Sequence, residues 1–600
     1  MKSAFITIVR AFSPFEYVLF IAFSLILLGS ILSLISYASG TFMVDTPEDG
    51  GSLTEGVIGS PRFINPLLAG SDADRDLTAL IYSGLLKRKP SGELIPDLAE
   101  SYTLSEDGLS YTFILRDNVS FHDGVRVTAD DVIFTVQKTL DPALKSPRRA
   151  SWDGVSVEKV NDRTVRFVLK QPYSPFLENV TLGILPEHFW RNANTEQFQF
   201  STGNIDPIGS GPYKVTEIKR NSSGIPLSYT LKANARYALG RPHIDTITFF
   251  FYQNEADLFK AFEKGDVESM NSVTPALLSL LAPTLRIETT SLPRIFAVFF
   301  NQNQATLFKQ QEVRAALEHA VLKERIVKEI LSGYGTPIDS PIPPGIFGPK
   351  GNDEITEAEV AEEMELESAS EESASEKGAN TTEEIGVEEG ENLPAHIKEA
   401  RDILLRNGWE YSEEERRWTK ETKKEDYTLS FSLATSNAPE LKAVAEMVAE
   451  DWRALGADVT LQVYETGDLN QNIIRQRKYD ALLFGEVVGR ELDLFAFWHS
   501  SQRNDPGLNV ALYANISADK YLEDARTESD QAIREEKYRA FEGEVKSDVP
   551  AVFLYSPFFI YVVPKEIKGL SLGSITTPAE RFLNVHEWYV ETNRIWKLFE

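Results

Sequence analysis

The sequence predicts a mixed α/β protein built on a parallel sheet and carried behind an N-terminal membrane helix. Three observations predict it. Tyr427, Leu429, Phe431 and Leu433 alternate as in a strand, a helical stretch runs from Pro439 to Leu455 and stops at Gly456, and Val459, Leu461 and Val463 alternate again. Strand, helix and strand in so short a length form a βαβ unit, whose right-handed crossover sets two strands parallel. Tyr102 to Phe113 reads instead as strand, tight Asp107-Gly108 turn and strand, an antiparallel hairpin. Finally, Tyr17 to Ile35 is an uncharged run of Leu, Ile and Phe that spans roughly 28 Å as a helix, close to the hydrocarbon thickness of a bilayer.

Lys2 and Arg10 precede the apolar run, whereas Asp45, Glu48 and Asp49 follow it. The positive-inside bias puts residues 1–16 in the cytoplasm, 17–37 across the membrane and the rest outside. Ser36-Tyr37-Ala38 offers the alternative of a signal-peptidase site. The run exceeds the roughly 7–15 residues of a signal core, which favours an uncleaved anchor. Residues 38–50, polar and glycine-containing, read as a tether.

Elements of the body follow in order. Thr128-Ala129-Asp130-Asp131 makes a capping box, after which Val132, Ile133, Val136 and Leu140 recur at helical spacing until Asp141-Pro142 stops the helix. A second helix is expected from Gln311 to Leu331, with Val313, Leu317, Ala320 and Val321 on one face and Gly333 beyond its end. Tyr479 to Phe484 supplies a further strand. From Asp353 to Glu391 the chain changes character: about sixteen acids stand against Lys377 alone, with no aromatic residue. Such a stretch cannot assemble a core, so residues 350–392 are expected to form a disordered acidic insert. It lacks the Asp/Asn spacing and turn glycine of a calcium loop.

Composition narrows the function. At 600 residues, with 42% hydrophobic and 11% aromatic residues, the chain can bury several cores. A net charge of -29 repels phosphate backbones and argues against nucleic acid as a partner. No cysteine is present, so disulfides, thiolate metal sites, Cys nucleophiles and a lipid-modified cysteine are all excluded. Catalysis finds no support either. There is no Gly-x-Ser-x-Gly elbow, and His586-Glu587-Trp588-Tyr589-Val590 lacks the second His of a zinc protease motif. Pro212 removes an amide from the Gly209-Ser210-Gly211 stretch, and no Lys-Ser/Thr pair follows at phosphate-loop spacing. The seven histidines are scattered without paired ligand spacing, so no metal site or cofactor is expected.

From Glu93 to Asp141 the chain reads ELIPDLAESYTLSEDGLSYTFILRDNVSFHDGVRVTADDVIFTVQKTLD. Further motifs are Ile64-Asn65-Pro66-Leu67-Leu68, Ile184-Leu185-Pro186-Glu187-His188, Pro207 to Tyr213, Val313-Arg314-Ala315-Ala316-Leu317 and Pro343-Pro344-Gly345. In order and spacing this resembles the family 5 extracellular solute-binding proteins, which include the oligopeptide-, dipeptide- and nickel-binding components of ABC importers. The resemblance implies a two-lobed periplasmic-binding-protein type II fold of the three-domain, cluster C-like kind. Domain I would comprise residues 51–85, 205–293 and 556–600, domain II 86–204 and domain III, the second lobe, 294–555. It further implies a hinge of two chain crossings, near Phe296–Asn301 and Pro550–Tyr555, and a cleft that closes on a peptide for an ABC permease with separate ATPase subunits. A sensor or chaperone on the same fold, or a nickel-chelate binder, remains the alternative. Peptide binders of the family place an acidic residue after the Tyr-Asp strand to meet the ligand's amino terminus. Here the corresponding stretch is Glu486 to Asp493, followed by Phe497-Trp498-His499. Asp493 fits the spacing best and Glu491 second, with Trp498 and His499 as candidate neighbours; Phe121-His122-Asp123-Gly124 reads as a scaffold turn.

Overall fold

The computed structural model describes residues 13–173, 176–271, 273–278, 280–281, 285–347, 393–423, 425–489, 492–528 and 530–596. The acidic insert, the first residues of the N-terminus and Glu491 lie outside them.

The apolar run forms one helix, Pro14–Phe42. Ser13 and Glu16 cap its start, the Ser13 amide donating to the Glu16 carboxylate at 2.8 Å and the Glu16 amide to Ser13 Oγ at 3.4 Å. Its segment Pro14–Leu34, mean hydropathy 2.4, is long and apolar enough to cross a membrane. The stretch expected to be a tether continues instead as helix and then as the strand Met43–Pro47, which pairs antiparallel with Thr592–Trp596.

Two sheets share one strand. The 13-residue strand Ala551–Val563 pairs through its first half with Arg294–Phe300 and through its second with Arg286–Ser291 and Ser269–Asn271. On the first side the order continues through Ala481–Val487 and Ser430–Ser436 to Asp458–Tyr464, the last three running parallel. This is the second lobe, and the predicted βαβ unit is its edge: Pro439–Leu455 crosses over and ends in a left-handed Gly456. On the other side Ser269–Asn271 leads to Ser52–Ile58, Thr246–Tyr252, Pro226–Ala233 and Tyr213–Arg220, the main sheet of the first lobe. The first lobe carries a second unit, the antiparallel sheet Ala99–Leu104, Ser110–Leu115, Thr164–Leu169, Val155–Asn161. The helix Ala129–Leu140 covers it, with its Thr128/Asp131 capping box formed.

Local chemistry explains most joins. At Gly209 a Cβ would stand 2.0 Å from the Ile81 carbonyl oxygen, so only glycine lets the two backbones meet there. His122 donates its own amide to Gly209 O at 2.8 Å, accepts the Gly209 amide on Nδ1 at 3.4 Å, and its Nε2 lies 3.1 Å from Gly211 O. Burial holds that ring's pKa down at about 4, so it is a neutral strut between the two units of the first lobe. The helix expected over Gln311–Leu331 is broken into Gln311–His319 and Lys323–Glu329. At the break the Leu322 amide donates to Asp451 at 3.4 Å and Lys323 pairs with Glu318 and Asp339, contacts made across the fold.

A fully buried charge network fastens the first lobe. Arg581 donates from Nη1 and Nη2 to Asp76 at 2.8 and 2.7 Å and from Nη2 to Glu55 at 2.9 Å, all three residues having no exposure. Tyr561 OH donates to Glu55 at 2.8 Å and the Asn271 side-chain amide to Asp76 at 3.2 Å. Burial raises the pKa of both carboxyls and Arg581 opposes it. The network pins the inner face of the helix Asp72–Ile81.

Candidate functional site

The adjoining flank of that helix carries Arg75, Thr78 and Ala79, and these line a cavity of about 490 Å³. The spacing of three and four residues sets them on one side of the helix. Ser71 starts the helix, accepting the Asp74 amide at 3.1 Å while Asp74 accepts the Ser71 amide at 3.1 Å. Further walls come from Lys87 and Arg88 on the strand Leu86–Arg88, from Asp97, from Arg148 and Trp152, from Glu178 to Gly183, and from Thr576 to Leu583. The second lobe contributes Gly489. The cavity thus lies between the two units of the first lobe and opens toward the second.

Its polar groups are unevenly used. Arg88 pairs with Glu178. Glu580 accepts the Thr576 amide at 3.0 Å, and Lys87 Nζ donates to Tyr237 OH at 2.8 Å. By contrast Thr78 Oγ1 is buried without a hydrogen-bond partner among the described residues, and Ser83 Oγ and Asp97 Oδ1 are buried with no well-formed hydrogen bond beyond the weak approach of the Ser83 hydroxyl to the Asp97 carboxyl. All three residues line the cavity. Arg148 likewise makes no ion pair among the described residues. Arg148 is exposed at the cavity mouth, where partial desolvation and the neighbouring Arg75 hold its pKa below the usual arginine value, against Glu580. Burial pushes the Asp97 carboxyl up to about 6, with Lys87, the Ser83 hydroxyl and Arg116 opposing. Burial in turn lowers the Lys87 pKa. Buried polar atoms left open on a cavity wall cost a free protein about 1–3 kcal/mol each, a cost that a ligand with matching groups removes.

The residues singled out from the sequence lie around the second lobe's cleft-facing loop, off the cavity wall. Asp493 Oδ2 pairs with Arg526 at 3.0 Å, and its Oδ1 accepts the Phe495 amide at 3.3 Å. Trp498 is fully buried in the second lobe's core. His499 stacks on Phe495 with ring centres 4.1 Å apart, accepts the Ser501 amide at 3.1 Å, and its Nε2 lies 3.3 Å from Glu523. It is Gly489, in the same loop, that reaches the cavity. Three residues before Gly489, in the strand Ala481–Val487, Glu486 is 3% exposed, and neither carboxylate oxygen closes a well-formed hydrogen bond among the described residues. Burial drives its pKa well above the carboxylate range, with only the Trp498 indole opposing.

The chain passes between the lobes where Ser556 Oγ donates to Leu292 O at 3.0 Å and the Leu292 amide to Pro557 O at 3.3 Å. Phe296 and Tyr555 pair just inside the second lobe, rings stacked at 4.8 Å, and Tyr555 OH donates to Glu440 at 2.7 Å. Asn301 and Pro550 sit at the far end of the same strand pair: the Phe300 amide donates to Pro550 O at 3.1 Å and the Asn301 amide to Asp480 O at 2.8 Å.

The profile of the family described as bacterial extracellular solute-binding proteins, family 5 Middle, matches residues 93–505. The chain belongs to this family. Among its relatives, the oligopeptide-binding protein AppA of Bacillus subtilis is 28% identical over 554 residues, covering 91% of this chain and 92% of AppA. The AppA structure, with a nonapeptide, is 27% identical at a TM-score of 0.65, covering 91% of this chain and 100% of AppA. NikZ of Campylobacter jejuni, in complex with Ni(L-His), is 25% identical at a TM-score of 0.66, covering 90% of this chain and 99% of NikZ. The fold is therefore the two-lobed one of these solute-binding proteins.

The sequence singled out Asp493, Glu491, Trp498 and His499 in the second-lobe stretch that also holds Gly489, and singled out nothing on the first-lobe wall. Asp97 sits in the Pro96-Asp97-Leu98-Ala99-Glu100-Ser101 motif and was passed over as scaffold; Arg148 follows Ser146-Pro147, a stretch with no periodicity to single it out. An aspartate between a strand and a buried Leu-Ala pair was the available signal.

Proposed function

We propose that the chain is the substrate-binding component of an ABC importer, held at the membrane by its uncleaved N-terminal helix with the body outside. Its ligand is a short peptide or peptide-like zwitterion. The observation that carries this is the cavity itself, whose wall brings the buried Asp97 and Ser83 and the buried Thr78 hydroxyl together with an exposed Arg148 that has no ion pair among the described residues. Asp97 is suited to a ligand ammonium and Arg148 to a carboxylate, while Ser83 and Thr78 serve main-chain amides. A volume of about 490 Å³ falls within the roughly 300–1,000 Å³ of small-ligand sites. The relatives support the class: AppA holds a nonapeptide and NikZ a nickel–histidine chelate. Ligand binding draws the second lobe, through Gly489, over the cavity mouth and so favours the closed population, the state a permease recognises. The chain performs no chemistry on its ligand in this reading.

Calorimetry tests it. Free di- and tripeptides should bind, N-acetylated ones should lose affinity through Asp97, and C-amidated ones through Arg148. Asp97→Asn should erase the first difference and Arg148→Gln the second. No affinity for any free peptide, with binding of a metal–amino-acid chelate instead, would move the ligand to the class of NikZ.

A further inference from the structure

We infer that the C-terminal strand Thr592–Trp596 is part of the membrane stalk, so the body is carried on a stiff ribbon over the bilayer and not on a loose leash. This rests on the proposal that the N-terminal helix stays as an anchor. The helix does not end at the hydrocarbon edge. It continues past the apolar run, from Ala38 to Phe42, and passes directly into the strand Met43–Pro47. That strand pairs in register with the C-terminal strand: Met43 with Trp596, Val44 with Ile595, Asp45 with Arg594, Thr46 with Asn593 and Pro47 with Thr592.

A two-stranded ribbon alone is marginal in water. This one is fixed at its base. The Glu48 amide donates to Glu591 O at 3.0 Å, and the Gly50 amide to His243 O at 2.8 Å. Asp49 pairs with Arg241 at 2.7 Å and with His243 Nδ1 at 2.9 Å. Gly50 has φ +150, a backbone conformation that L side chains rarely adopt, so glycine suits this position at the base. Strand, cap and body loops Arg241–His243 and Val590–Glu591 are thus one unit.

Geometry gives the consequence. Five helical residues beyond Tyr37 rise about 7.5 Å, roughly 6 Å of it within headgroups, and the ribbon adds about 17 Å. The body stands no more than about 20 Å from the headgroups. A free chain of thirteen residues would have a comparable reach, about 20 Å, but no orientation. The ribbon keeps the height and fixes the facing: the loops around Asp49, His243 and Glu591 are turned toward the lipid surface.

The chain has no cysteine, so a cysteine pair reports directly. Thr46→Cys with Asn593→Cys places two Cα atoms about 4.5–5.5 Å apart, within disulfide reach, whereas Thr46→Cys with Ile595→Cys is two residues out of register. In membranes carrying the full chain, mild oxidation should bridge the first pair and not the second. Removal of residues 592–600 should abolish amide-exchange protection at 43–47 while Ser52–Ile58 stays protected. Equal or absent bridging of the two pairs, or unchanged exchange after the removal, would overturn the inference. So would a bridged chain found in the soluble fraction with its N-terminus near Ser39. Bridging does not depend on ligand, so failure to bind peptides leaves the ribbon untouched.

Discussion

Asp97 is a carboxylate that the folded chain holds at a loss. Its pKa, about 6 against an ordinary 3.8, is displaced by about two units, equivalent to about 3 kcal/mol. The sign follows from which form the fold prefers. A folded pKa above the unfolded one means that the folded state binds the extra proton. The stability tied to that proton is fully present below about pH 4 and is lost as pH rises through about 6. Asp97→Asn keeps the shape and cannot ionise. Ligand-free native and variant proteins should therefore be equally stable near pH 4. Near pH 8 the variant should be more stable by about 1–3 kcal/mol, the lower figure applying where Lys87 loses part of its compensation. Denaturant unfolding followed by tryptophan fluorescence at pH 4, 6 and 8 measures it. Ligand affinity should move the other way, falling by about 2–5 kcal/mol in the variant at pH 8. Parallel pH slopes, or a variant less stable at pH 8, would refute the argument and make Asp97 a structural counter-ion for Lys87.

Three further outcomes follow from the buried groups. Arg581→Met strands the Glu55 and Asp76 carboxylates and should cost about 3–5 kcal/mol, most of it recovered when Glu55→Gln and Asp76→Asn are added; thermal unfolding of the single and triple variants checks this. Glu486→Gln should raise the unfolding midpoint at pH 8 and leave it unchanged at pH 4, because burial raises that carboxyl and the native proton is lost only as pH climbs. Asp493→Asn loosens the Arg526 pair and the Phe495 cap, so it should lower stability by about 1 kcal/mol and change peptide affinity less than Asp97→Asn does, a comparison calorimetry makes directly.

Elements defined by local chemistry were legible in the sequence. The Asp107-Gly108 hairpin, the Thr128 capping box and the helix closed by Gly456 all depend on neighbours a few residues away. What was not legible depends on distant partners. The break at Ala320–Leu322 follows from Asp451 and Asp339, and the strand expected at Tyr479–Phe484 is shifted to Ala481–Val487. Asp480 is taken by the Ser432 amide and hydroxyl at 2.9 and 2.7 Å and by the Asn301 amide, which ends the pairing there. The tether was misjudged for the same reason: its partner strand lies more than 500 residues away, and no local pattern in residues 38–50 announces it. At the site, the sequence singled out the stretch holding Gly489, but the cavity wall is assembled from many separate stretches, and only the fold shows which of them meet.

Native mass spectrometry of the full chain, purified from its membranes without denaturation, tests the central claim most directly. The account predicts a charge-state series heavier than the bare chain by one small peptide-like solute, released unaltered, and lost from Asp97→Asn and Arg148→Gln. A bare-chain mass that stays unchanged when free peptides are added would contradict the account, as would release of a solute covalently changed from the one supplied.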